Sequence, residues 1–278
     1  ENDIYAVDEV LRSDYVTCGP KTQELERSLK QYTGARHAVA VSNGTAALHC
    51  ACMAAGIGAG DEVITTPLTF VASANCALYC GAKPVFADVE EDTYNINPRS
   101  IEEKITDKTK AVVAVDFTGQ AVKHHLIFIE DAAHAIATTY NGVQVGNLAD
   151  ITTFSFHPVK TITGGEGGAV LTNSDELYQK IQLVHTHGIT HDPVLMEEPV
   201  HEGPWYYEQI MLGYNYRITD IQAALIVSQM KKLDQFKARR KKIVKMYDEA
   251  FAQIPEIIVQ KEIAESDTCR HLYIIRLD

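Results

Sequence analysis

Lys160 is the first residue of this chain whose setting suggests chemistry. It follows the apolar run 151–156, lies between Val159 and Ile162, and precedes the stretch Gly164-Gly-Glu-Gly-Gly168. Most lysines are solvated surface groups. One embedded among apolar residues, beside glycines that permit close approach, is a desolvated amine with a lowered pKa, as a Schiff base requires. The glycine stretch is not a P-loop, because no Gly-Lys-Ser/Thr closes it and it follows the lysine. Asp131 ends the apolar run 126–130 and His134 lies three residues on. A carboxylate at the ligand edge of a sheet can pair with a cationic ring nitrogen. The plainer reading of a lone Asp is a helix N-cap. His134 can donate to a ligand oxygen, although a lone histidine is more often a satisfied structural side chain. In Ser42-Asn-Gly-Thr-Ala-Ala-Leu48 a strand runs into a helix at Gly44 and Thr45. Free N–H groups and the positive end of a helix dipole there would suit a phosphate. Ser, Asn and Gly suit any strand-to-helix turn, so the run alone says little.

The elements that must carry these residues follow from the apolar pattern. Runs 38–42, 61–65, 83–87, 111–115, 126–130, 151–156 and 169–172 read as strands, and 45–55, 71–80 and 98–105 as helices. Strands alternating with helices predict an α/β architecture with a mostly parallel sheet. Residues 220–251 read as long helix, with a basic run at 231–245 taken as a solvated face. Runs 257–259 and 271–276 read as strands of a smaller second domain. The expected division is a large cofactor-binding domain, 14–222, and a small domain, 223–278 with 1–13. Only nine residues, 117–125, separate the strands ending near Asp116 and starting at Leu126. A parallel crossover needs a dozen or more. Either these strands are not parallel neighbours, or residues are missing near Gln120.

The chain has 278 residues, of which 46% are hydrophobic and 22% charged, so wholesale disorder is excluded. Its net charge of −12 argues against a general nucleic-acid surface. No apolar run reaches the ~18 residues of a membrane span, and the acidic start is no signal peptide. The six cysteines match no metal-binding pair and read as buried free thiols in a reducing cytoplasm. His185, His187 and His191 have ligand-like spacing but no H-E-x-x-H frame, and His124-His125 reads as a loop feature. No metal is expected. The absence of G-x-G-x-x-G after a strand removes a dinucleotide-dependent dehydrogenase.

In order, Asn43-Gly-Thr-Ala-Ala-Leu48, Thr66-Pro-Leu-Thr-Phe-Val-Ala-Ser73, Val115-Asp-Phe-Thr-Gly-Gln120, Glu130-Asp-Ala-Ala-His134, Ser155-Phe-His-x-x-Lys160 with Gly165-Glu-Gly-Gly168, and Gly213-Tyr-Asn-Tyr-Arg-Ile-Thr-Asp220 resemble the DegT-type sugar aminotransferases. The resemblance spans 14–278. It implies the fold-type-I α/β architecture and pyridoxal 5′-phosphate as cofactor. Runs 74–88, 187–190 and 203–209 look most like one branch, the UDP-sugar transaminases of pseudaminic acid synthesis.

The resemblance also implies roles. Lys160 matches the lysine bonded covalently to the cofactor, and Asp131 the partner of its ring nitrogen. His134 falls near the ring's phenolic oxygen. Gly44, Thr45 and Ser155 match phosphate contacts, and Phe70 the aromatic that stacks on the ring. Asn215 matches an asparagine that reaches the phosphate from the neighbouring subunit, implying a cytoplasmic homodimer with shared sites. The implied substrates are L-glutamate and a UDP-linked 4-keto-6-deoxy hexose, or another nucleotide sugar such as a dTDP-sugar. A relative that dehydrates its substrate has histidine in place of the lysine, and Lys160 argues against it. A non-catalytic cofactor-binding regulator is the other alternative. The chain departs from the family in its short crossover after Gln120, in ending before the usual C-terminus, and in His185, where relatives tend to have Arg.

Overall fold

The computed structural model describes residues 1–116, 126–197, 203 and 205–278. Seven strands make the main sheet: β1 (His37–Val41), β2 (Glu62–Thr65), β3 (Lys83–Phe86), β4 (Thr109–Val115), β5 (Ile127–Asp131), β6 (Ile151–Ser155) and β7 (Gly168–Thr172). Their spatial order is β1-β7-β6-β5-β4-β2-β3. Every pair from β6 to β3 is parallel. β7 is antiparallel to both β1 and β6, so it alone runs against the rest. The expected mixed, mostly parallel sheet is therefore present. Its strands are rich in Val, Ile and Ala because helices cover both faces.

The helices are α1 (Asn2–Leu11), α2 (Pro20–Thr33), α3 (Gly44–Ala54), α4 (Ala72–Tyr79), α5 (Pro98–Lys104), α6 (Asp175–His185), α7 (Asp220–Met230) and α8 (Leu233–Phe251). Alternate strand residues serve opposite faces. Val39 and Val41 join the core under α3, α4 and α6. Ala38 and Ala40 join the core with Leu25 and Leu29 of α2 and Ile226 of α7. Ala, Cys and Leu fill α3, and its residues 46–52 are all buried. Small side chains let that helix lie close on the sheet.

The structure corrects three expectations and removes one of two alternatives left open. Residues 220–251 are two helices, α7 and α8, parted at Lys231–Lys232. Asp3 draws Ser228, Gln229 and Lys232 together there, with Lys232 Nζ at 2.7 Å. The basic run is not only a solvated face: Lys237 Nζ donates to the Ala137 carbonyl, and Arg240 Nη1 to the carbonyls of Arg270 and His271. Of the strand expected at 271–276, only Ile275–Leu277 pairs, with Ile257–Val259. β4 and β5 are parallel neighbours, Ala111 opposite Ile127 and Val115 opposite Asp131. That removes the first of the two explanations of the short crossover. Residues 117–125, which include the end of the Val115–Gln120 motif and His124-His125, lie outside the described residues.

All six cysteines are free. Cys50, Cys52, Cys76 and Cys269 are buried as expected, Cys80 is half-buried, and Cys18 is exposed. Among the described residues no helix is long and apolar enough to cross a membrane.

Candidate active site

The parallel strands end at one edge of the sheet, and the antiparallel β7 begins there. That geometry gathers residues far apart in sequence: Gly44 after β1, Ser73 beyond β2, Asp131 at the end of β5, Ser155 at the end of β6, and Gly168 at the start of β7. Lys160 follows β6 in a closed loop. Phe156 exchanges backbone hydrogen bonds with Gly167 and Gly164, and Lys160 N–H donates to the His157 carbonyl at 2.9 Å. Phe156 and Ile162 are buried on either side of Lys160 and fix the loop to the core.

Asp131 is 5% exposed. Its Oδ2 accepts a 2.6 Å hydrogen bond from Ser73 Oγ, and its Oδ1 accepts from Ala133 N–H at 3.3 Å. Burial pushes this carboxyl above the ordinary carboxylate range, while Ser73, Ala133 and the charge of Lys160 pull it back. Burial lowers the half-buried Lys160 amine, and Asp131 partly offsets the effect. The desolvated amine read from its neighbours in sequence is therefore present, with a carboxylate near enough to feel its charge.

His134 packs against His271, ring centroids 4.4 Å apart. Burial, then the charge of Lys160, push His134 down to about 3 and His271 down to about 4. Both imidazoles are neutral near pH 7. His271 Nδ1 is buried with no hydrogen-bond partner. No spacing in the sequence marked His271, which reaches the site only because Arg240 and Thr138 hold residues 269–271 against the sheet. Ser73 was also missed as a site residue, although its motif was visible.

At the third corner Asn43 caps α3 by accepting the Ala46 N–H at 2.8 Å. The N–H groups of Gly44 and Thr45 precede that bond, in the first turn. Glycine is required here by close approach. A Cβ on Gly44 would lie 2.8 Å from Ser155 Cβ, and one on Gly168 would lie 2.4 Å from the Asn43 carbonyl oxygen. This cradle of backbone N–H groups beside the Ser155 hydroxyl suits a phosphate. The Phe70 side chain stands 70% exposed beside α4.

Asn215 is exposed and bridges to Thr186 through its backbone. Among the described residues no hydrogen bond joins it to the Lys160 cluster. Two of the three histidines with ligand-like spacing are used otherwise: His185 Nδ1–H donates to the carbonyls of Gln182 and Ile181, and His191 Nδ1–H to that of Tyr206. Among the described residues no group of three His, Cys, Asp or Glu is arranged to hold a metal ion.

The model of the DegT/DnrJ/EryC1/StrS aminotransferase family matches residues 1–278. The chain is 42% identical to the spore coat polysaccharide biosynthesis protein SpsC of Bacillus subtilis (strain 168), over 100% of this chain and 74% of that protein. It is 39% identical to the UDP-4-amino-4,6-dideoxy-N-acetyl-beta-L-altrosamine transaminase of Campylobacter jejuni, again over 100% and 74%. Its fold matches that of the putative sugar aminotransferase Spr1654 from Streptococcus pneumoniae in its PMP form, with a TM-score of 0.89 and 33% identity over 100% of this chain and 76% of that one. The chain belongs to the DegT/DnrJ/EryC1/StrS aminotransferase family, and is a sugar aminotransferase of fold type I.

Proposed function

We propose that this enzyme transfers an amino group from L-glutamate to C4 of a UDP-linked 4-keto-6-deoxy hexose. The products are 2-oxoglutarate and a 4-amino sugar nucleotide. The acceptor we favour is UDP-2-acetamido-2,6-dideoxy-β-L-arabino-hex-4-ulose, of the pseudaminic acid pathway. The observation that carries the reading is the half-buried Lys160 amine, near enough to the buried Asp131 for each to feel the other's charge, at the ligand edge of the sheet. The Campylobacter jejuni transaminase supports a UDP-sugar as substrate.

The residues present fit pyridoxal phosphate. The Gly44–Ser155 cradle takes a phosphate and leaves no space for a side chain. Asp131 supplies the anion a protonated ring nitrogen needs, and Phe70 offers an exposed aromatic face. When bound, pyridoxal phosphate supplies an electron sink for the carbanion that transamination generates.

The chain's own residues do the rest. Gly44 N–H, Thr45 N–H and Ser155 Oγ hold the phosphate. Phe70 fixes the ring plane, and His134, kept neutral, donates toward the phenolic oxygen. Lys160 Nζ, whose hold on its proton burial weakens, takes the proton from the amino-bearing carbon of the donor. It returns a proton to C4 of the sugar in the opposite half-reaction. In this reading Asn215 reaches the phosphate of the neighbouring subunit in a homodimer. Residues 14–222 form the cofactor-binding part and 223–278 with 1–13 the smaller part. The bonds of Asp3 to Ser228 and Lys232 support that grouping of the N-terminus.

The test offers UDP- and dTDP-4-keto sugars with L-glutamate and follows 2-oxoglutarate release. A UDP-linked 4-keto-6-deoxy sugar is expected to turn over fastest. The yellow protein should lose its colour when L-glutamate is added. Lys160→Ala should lower turnover at least ~10³-fold while retaining the cofactor noncovalently. Normal turnover by that variant would remove Lys160 from its role.

A further inference from the structure

The turn that presents Phe70 also carries two hydroxyls, Thr69 and Ser73, which lie in the Thr66–Ser73 motif but are given no role by it. Thr69 Oγ1 and Ser73 Oγ lie 2.8 Å apart, one helical turn from each other. Ser73 Oγ lies 2.6 Å from Asp131 Oδ2. Ser73 is 0% exposed, so no water competes for its hydroxyl. The Ser73 N–H bonds to the Phe70 carbonyl at 3.1 Å, which ties the hydroxyl pair to the residue beside the cleft.

Hydrogen-bond valence sets the direction of this relay. An ionised carboxylate only accepts, and each hydroxyl has one proton to give. The Ser73 proton therefore goes to Asp131, and Thr69 must donate to Ser73. A hydroxyl that accepts one bond donates its own more strongly, and the bond to a carboxylate is charge-assisted. Asp131 needs this support, because burial favours its neutral form and Lys160 offsets that only in part.

We propose that Ser73, aligned by Thr69, is a positioning residue that holds the Asp131 carboxylate ionised and aimed at the cofactor's ring nitrogen. This rests on the reading of Asp131 as the partner of that nitrogen. Ser73 makes no contact with substrate and acts through Asp131 alone. The consequence is electrostatic. Without the relay Asp131 takes up a proton at higher pH, and the ring nitrogen loses the anion that keeps its own proton in place.

The experiment reconstitutes the enzyme with ring-¹⁵N-labelled pyridoxal phosphate and follows the ring-nitrogen chemical shift against pH. In Ser73→Ala the ring nitrogen should lose its proton at a pH about one unit lower than in the unaltered enzyme, the effect expected of one lost charge-assisted hydrogen bond. Thr69→Val, which leaves Ser73 in contact with Asp131, should give a smaller shift in the same direction. That variant carries the test if Ser73→Ala does not fold. Titrations of both variants that overlay the unaltered enzyme, with Asp131→Asn shifted, would overturn the relay and leave the Asp131 role standing. An Asp131→Asn titration that also overlays it would remove the Asp131 role, and the relay with it.

Discussion

His134 and His271 illustrate how position within the fold, rather than residue type, sets chemistry. Free histidine titrates near 6.5. Buried together beside Lys160, these two titrate at about 3 and about 4. Between those values and about 6.5 the unfolded chain binds protons that the folded chain refuses. Their contribution to stability is therefore complete above about 6.5 and is lost as pH falls toward 4. The expected outcome is a urea midpoint that drops more between pH 7 and pH 5 in the unaltered enzyme than in His134→Gln. Equal drops would show that the pair is not held neutral. His134 was legible in the sequence from its place after Asp131, but its neutrality was not. The charge that opposes protonation comes from a lysine 26 residues later in the chain.

Among the elements, α2 and α7 show a dependence that no local pattern announces. Asp220, the first residue of α7, is fully buried. Its carboxylate accepts from Thr22 Oγ1 at 2.6 Å and from the N–H groups of Gly19, Lys21 and Thr22. It thus caps the start of α2 from about 200 residues away, while Thr219 and Gln222 form the capping box of α7 itself. Asp220→Ala strands those donors in a buried place and should cost about 2–4 kcal/mol by urea denaturation. A loss under ~0.5 kcal/mol would mean that water replaces the carboxylate. The periodicity placed the seven strands of the main sheet and α3, α4 and α5 to within a residue or two. It missed α1, α2 and α6, although Pro20 opens α2 and Gly34, at φ 80°, closes it. It merged α7 with α8, since an apolar pattern cannot register the pull of Asp3 on Lys232.

At the scale of the whole molecule, the Lys160 cluster does not use Asn215, and both Asn215 and Phe70 are exposed in the single chain. A site completed by a second copy predicts complementation between two inactive variants. Lys160→Ala and Asn215→Ala, refolded together in equal amounts, form hybrid dimers in which one site has both residues intact. The mixture should recover roughly a quarter of the unaltered activity. Recovery no greater than the sum of the separate variants would confine each site to one subunit.

The sequence by itself determined the alternation of strands and helices, because burial on two faces of a parallel sheet demands apolar runs of characteristic length. It also determined the chemical types on offer: an amine among apolar neighbours, a carboxylate after a strand, a glycine at a helix start. Only the tertiary structure decided that these meet. One edge of a sheet gathers the ends of β1, β5 and β6 with the start of the reversed β7, which no linear spacing encodes. The packing of α4 set Ser73 on Asp131, and the anchoring of residues 269–271 set His271 on His134. Burial and neighbouring charge are properties of that assembled edge, so the protonation states on which transamination depends arise only once the chain has folded.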